Sequence, residues 1–188
     1  MCSMSVYSVK QVYQKLAGSN PAVHWDKLVW NRLSLAKRRF ICWLAVQKRL
    51  HTTAVLARIG ISSSAACLLC AQSDEDHNHL FFNCQYSKEC LEKLTRWFGI
   101  QIQGTNLLNV VNSPSHRRYT KFRRMVYYAG VSALVYLIWR SRNSSYWNQL
   151  VFTTPNVIAS LKQIVRSRIL VVMPKKVSRN DHRWFVEL

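Results

Sequence analysis

Residues 67–84 read CLLCAQSDEDHNHLFFNC. Cys67 and Cys70 form a C-x-x-C pair, and His79 and Cys84 follow to give C-x2-C-x8-H-x4-C. Two thiolates on one tight turn can point at one ion. Three thiolates and one imidazole complete a closed tetrahedral site of the structural zinc type, with no open position for a substrate. The spacing therefore predicts Zn2+ held by Cys67, Cys70, His79 and Cys84. His77 would face the same side of an extended segment as His79 and is the other candidate imidazole. The shorter gap to Cys84 favours His79. Asp74, Glu75 and Asp76 separate the ligand pairs and read as a solvated loop, in which one carboxylate could orient the histidine. Cys42 and Cys90 lie among apolar residues and read as core cysteines.

Outward from this segment the chain reads as helices. Val6, Val9, Tyr13 and Leu16 have helical spacing within residues 5–17, with Gly18 as the stop. Trp25, Leu28, Val29 and Leu33 mark a short amphipathic element. The block FICWLAV (40–46) predicts a buried helix, and Thr52 or Thr53 caps another that ends near Gly60. Residues 86–98 carry Leu91, Leu94, Trp97 and Phe98 at helical spacing. Residues 99–117, which include GTNLLNVVNSPSH, read as a polar loop and an internal boundary. A long helix is expected from about Tyr119 to Leu150 and another from about Asn156 to Val172, closed by Pro174. The tail KKVSRNDHRW (175–184) is expected to be mobile. With only five Gly and four Pro, the expectation is a mainly α protein, a helical domain with a small CCHC zinc knuckle. It divides into a zinc-binding region 1–105 with the knuckle at 67–84, a helical region 118–172 and a basic tail 173–188. The run MVYYAGVSALVYLIW (125–139) is uncharged, yet shorter than the roughly 20 residues of a membrane span, and reads as a buried core helix.

Charge narrows the partners. The chain has 27 Lys+Arg against 8 Asp+Glu, a formal net charge of +19. From Lys93 to Asn180 there is no carboxylate side chain. A folded protein this unbalanced repels itself unless a polyanion compensates, and a merely solvated face normally mixes both signs. RNA or DNA, bound without sequence preference, is the expected partner. The candidate phosphate contacts are Lys37, Arg38, Arg39, Arg117, Arg118, Lys121, Arg123, Arg124, Lys162 and Arg166. Tyr119, Phe122 and Trp97 stand near them for stacking, although core packing is the commoner role of such aromatics. Neither a membrane nor a small-molecule substrate is expected. The N-terminal MCSMSVYSVKQVYQKL has no apolar signal-peptide core, so an intracellular protein of the nucleus or cytoplasm, with reduced thiols, is expected.

The motifs also carry a family resemblance. YSVKQVYQKL (7–16), HWDKLVWNRL (24–33), KRRFICWLAVQKRLHTTAVLARIGI (37–61), CLLC, Glu75 four residues before His79, and HLFFNC (79–84) resemble one family. It is the zinc-binding region that follows the polymerase domain in plant LINE-type, non-LTR retrotransposon reverse transcriptases. ALVYLIWRSRN (133–143) and IVRSRIL (164–170) are similar to the helical stretch beyond it, so the resemblance spans roughly residues 5–172. It implies that Cys67, Cys70, His79 and Cys84 are the family's CCHC ligands, and that the region grips template RNA or target DNA beside the polymerase. Two departures stand out. Leu35-Ala36 occupy a place where the family often has Pro, and Cys90 lies where it often has Trp. The first bears on a helix start and the second on packing; neither touches the ligands.

Catalytic signatures are missing from the sequence. A polymerase needs paired aspartates on a strand turn to hold two metal ions, and no Asp-Asp occurs. The few acids cluster in one loop and the helix after it, and there is no Gly-rich phosphate loop. The expectation is a non-catalytic, zinc-binding, nucleic-acid-binding remnant of a retrotransposon reverse transcriptase. The alternative is a structural or protein-interaction module in which zinc only stabilises the fold.

Overall fold

A computed structural model describes residues 23, 25–102, 104, 106–113 and 118–188. The helix expected at 5–17 lies outside the described residues. Among the described residues eight α-helices follow in order: α1 (Asp26–Val29), α2 (Ala36–Val46), α3 (Thr53–Arg58), α4 (Gln85–Phe98), α5 (Leu107–Asn112), α6 (Lys121–Asn148), α7 (Thr154–Val172) and α8 (Arg179–Glu187). A kinked turn at His79–Asn83 precedes α4. Among the described residues there is no β-strand, only an isolated antiparallel bridge between Ala66 and Asp74.

The long helix α6 is the axis of the molecule. Val126, Tyr127, Val131, Leu134, Val135 and Ile138 on it are wholly buried, because α2, α4 and α7 pack around it. It begins at Thr120, whose hydroxyl accepts from the Arg123 N–H at 3.2 Å, and ends where Gln149 turns left-handed. The apolar run 125–139 is thus a core helix; no helix among the described residues is long and apolar enough to cross a membrane. Helix α4 buries Ser87, Cys90, Leu91, Leu94 and Phe98, the three-four spacing of one face. Gly99 closes it at φ +64, a left-handed cap that suits glycine. Opposite the end of α4, Gly130 lets the Phe98 ring lie on the backbone of α6: a Cβ there would stand 2.6 Å from Phe98 Cε2.

Helix α7 buries Val157, Ile158, Leu161, Val165 and Ile169 against α6 and α4. Tyr86 ties three elements together. Its hydroxyl donates to the Phe152 carbonyl at 2.6 Å and lies 2.8 Å from Ser141 Oγ. Burial pushes that phenol up to about 12. Helix α2 starts at Ala36 with no side-chain cap on Leu35, and Cys90 is wholly buried.

Two expectations need correction. The loop 99–117 contains α5, capped by Asn106 and buried through Leu107, Val110 and Val111; the run NLLNVV has helical spacing that the polar flanks obscured. The tail is not loose. Ser178 caps α8, Asp181 pairs with Arg123 at 2.9 Å, Phe185 packs edge-on against Phe122, and the Leu188 carbonyl accepts from Trp97 Nε1. The tail's basic residues hid an apolar stripe of Trp184 and Phe185 facing the core.

Candidate metal centre

The four ligand-type side chains arrive from two backbone devices. After Cys67 the chain turns back on itself, with Ala71 N–H donating to the Cys67 carbonyl at 2.8 Å. Ala71 sits at φ +56, left-handed backbone that an alanine adopts at a cost. The second device is the turn at 79–83. Asp76 Oδ1 accepts the His79 backbone N–H at 2.6 Å. Phe82 sits at φ +90 with its N–H on Ser87 Oγ at 3.0 Å. That strained step swings Cys84 back toward Cys67, while Leu80, Phe81 and Phe82 anchor the turn in the core.

Cys67, Cys70, His79 and Cys84 offer ligand atoms that all lie within 4.8 Å of one another. Cys67 Sγ and Cys84 Sγ are 3.9 Å apart, and Cys70 Sγ is 3.3 Å from His79 Nε2. A tetrahedral zinc with Zn–S of about 2.3 Å sets its sulfurs roughly 3.8 Å apart, so the spacing suits that ion. The donor set, three soft sulfurs and a nitrogen, is the zinc type as well. Cys67 and Cys84 are buried, and Cys70 and His79 are half-buried. The hydrogen bond between the two buried sulfurs holds the Cys84 thiol below its ordinary value and pushes Cys67 up, and burial raises Cys67 further. Bound here, zinc would supply cross-linking of the 67–84 loop rather than chemistry, since four protein ligands leave no position for a reactant.

His77 stands apart from this cluster. Burial holds its imidazole below the ordinary value, partly offset by a hydrogen bond to the Leu50 carbonyl. Of the two histidines, His79 is therefore the ligand the geometry supports.

The acidic run splits three ways. Asp74 is exposed, and Asp76 caps the turn bearing His79 through its backbone. Glu75 is not in a solvated loop: it is 0% exposed. Its Oε1 accepts from Thr53 N at 2.9 Å and from Arg142 Nε at 2.8 Å, and its Oε2 accepts from Leu68 N at 3.4 Å. Leu68 lies between Cys67 and Cys70. One carboxylate thus joins the C-x-x-C turn, α3 and α6. Arg142 lies over the rings of Trp139 and Tyr146, at 5.1 and 5.2 Å. Ser145 Oγ adds a bond to the Leu68 carbonyl at 3.1 Å. This clamp was the element hardest to foresee. Its only sequence signals were the glutamate inside the resembling motif and an arginine on an apolar helix.

The candidate phosphate contacts differ in exposure and partners. Lys37 is exposed and lies over Tyr136, and Arg39 is half-buried. Arg38 is buried at 8% exposure with its Nε unpartnered. Burial and then the neighbouring Arg168 hold its guanidinium below the ordinary value, against a raising effect of Tyr136. Arg118 lies over Tyr119, and Lys121 and Arg166 are exposed. Arg123 is engaged by Asp181 and Trp184, and Lys162 lies over Trp97. Arg124 is half-buried with Nε and Nη1 unpartnered. Arg117 lies outside the described residues. Of the stacking candidates, Phe122 is core, while Tyr119 and Trp97 are half-buried.

Fold and site together define a helical protein with a CCHC zinc-binding centre. Residues 7–90 match the family described as zinc-binding in reverse transcriptase. All four ligand residues fall within the matched span. Neither the curated proteins nor the solved structures yield a match to the chain.

Proposed function

We propose that this chain is a non-catalytic nucleic-acid-binding module stapled by zinc, a remnant of a non-LTR retrotransposon reverse transcriptase that grips RNA or DNA without sequence preference. The observation that carries the reading is uncompensated positive charge. Glu75, Glu89 and Asp181 are occupied by Arg142, Lys93 and Arg123. Meanwhile Lys37, Arg118, Lys121, Arg166, Lys175 and Lys176 are exposed on a chain of net charge +19. Phosphates are the ligand such a surface suits, and zinc at the CCHC cluster would hold the 67–84 loop in register. The closed ligand set and the lack of paired aspartates support a binding role over a catalytic one.

The test is fluorescence anisotropy of labelled single-stranded RNA and DNA between 50 and 200 mM salt. Six or more phosphate contacts to a single strand predict a loss of roughly 300-fold or more in affinity across that range. Affinity that stays flat with salt sinks the reading. Failure to bind either strand, with tight capture of an acidic protein instead, transfers the basic surface to the protein-interaction alternative.

A further inference from the structure

A groove of about 830 Å³ runs between the α1 segment, the first turns of α6 and the stretch after α7. Arg32, Lys121, Arg124 and Lys176 line it, with Lys27 beside them and Trp30 at its rim. Among the described residues no carboxylate lines it; Asp26 stands next to its Tyr128 wall and accepts the Lys27 backbone N–H at 2.6 Å. Leu33, Phe122, Met125 and Val172 give it an apolar floor. The α1 segment is held in place by buried Asn31, whose side-chain NH2 donates to the Met125 carbonyl at 2.7 Å and whose Oδ1 accepts from Leu33 N–H at 3.1 Å. That anchor fixes Trp30 and Arg32, its neighbours on either side. Trp30 is nonetheless 68% exposed.

We propose that this groove is where a single-stranded polynucleotide binds, with its phosphates on Arg32, Lys121, Arg124 and Lys176 and one unpaired base on the face of Trp30. The proposal rests on the nucleic-acid reading above and assigns its location. Two observations favour this ligand over a plain acidic surface. First, Arg124 lines the groove half-buried and without a carboxylate partner among the described residues, a cation that suits a phosphate. Arg38 and Arg168 stand side by side, and Arg168 lies one helical turn before Val172 of the groove, which adds positive charge next to it. Second, an exposed indole on an anchored segment above an apolar floor is of no use to carboxylates but suits base stacking.

The test compares three purified variants with the wild-type chain, using a labelled oligouridylate and an oligothymidylate of the same length. Lys121→Gln/Lys176→Gln removes two exposed cations from the groove. Lys88→Gln/Arg96→Gln removes two exposed cations from α4, outside it. Trp30→Ala removes the stacking face. All the altered side chains are exposed, and far-ultraviolet circular dichroism checks each fold. The groove pair is expected to lower the slope of log affinity against log salt by roughly 1.4, while the α4 pair leaves it in place. Trp30→Ala is expected to weaken binding roughly tenfold at a slope near wild type. Equal losses from both charge pairs, or full affinity in Trp30→Ala, overturn the groove and leave the nucleic-acid reading standing. A wild-type chain that binds neither oligonucleotide but is retained by immobilised polyglutamate overturns both.

Discussion

At the scale of single residues, the burial of Glu75 has the sharpest consequences. An ion pair at 0% and 3% side-chain exposure is not a strong source of net stability, because both charges leave water. Removing one partner is different, since the survivor keeps its desolvation cost and loses its compensation. Glu75→Gln is therefore expected to destabilise the chain by ~3 kcal/mol, and Arg142→Met by a similar amount. The double variant is expected to recover much of the loss, with a coupling energy of roughly 2 kcal/mol in a urea-melt cycle. Additive losses would show that the two residues act separately. Zinc affinity gives a second readout. Glu75 also accepts from Leu68 inside the C-x-x-C turn, so Glu75→Gln should weaken metal binding in a competition with a colorimetric chelator. Arg142→Met, which leaves that bond in place, should weaken it less.

At the scale of elements, the contact between α4 and α6 is set by what is absent from Gly130. The Phe98 ring occupies the volume a methyl group would take. An alanine in mid-helix normally gains up to ~1 kcal/mol over glycine, whereas forcing an aromatic ring out of a packed core costs about 1–3 kcal/mol. Phe98 is also wedged against Trp97, Tyr127 and Trp184, so it has little room to move. Gly130→Ala is accordingly expected to lower the urea midpoint, and a midpoint raised by the substitution would mean that the ring relocates freely. The sequence made α4 and α7 legible because their apolar residues recur every three or four positions, and α2 and α6 because each carries a dense apolar block. It left Gly130 silent, since a glycine inside an apolar run says nothing of which ring will cover it. The metal ligands were legible for the opposite reason: three thiols and an imidazole at knuckle spacing seldom fall together except around a shared ion. Glu75 was masked by Asp74 and Asp76, which flank it with the same charge and face solvent. Helix α8 was masked by the basic residues around Trp184 and Phe185.

At the scale of the whole molecule, two sources of stability are separable. Zinc binding supplies ~10–16 kcal/mol of apparent folding energy in small zinc peptides, which have no other core. Here the core extends from Leu28 to Phe185, and most of it lies on α2, α4, α6 and α7, away from the ligands. Chelation is therefore expected to loosen the segment around 61–84 while most of the helical signal persists. Iodoacetamide then reports the difference residue by residue. Cys67, Cys70 and Cys84 become reactive on chelation. Cys42 and Cys90 do not, because burial pushes each thiol up to about 12 and leaves almost no thiolate at neutral pH. Simultaneous labelling of Cys42 and Cys90 with the three ligand cysteines would mean that the metal holds the entire fold. Salt separates the two roles of the surface charge as well. A chain of net charge +19 repels itself, so added salt screens the folded state and relieves a strain that the unfolded chain feels less. Relief of ~1 kcal/mol would raise the melting temperature by roughly 2–4 °C. The same ions compete for phosphates and weaken the complex. Stability and affinity should thus move in opposite directions as salt rises. If both fell together, the charges would be stabilising the fold through internal pairs rather than waiting for a polyanion, and the basic surface would belong to the fold instead of to a partner.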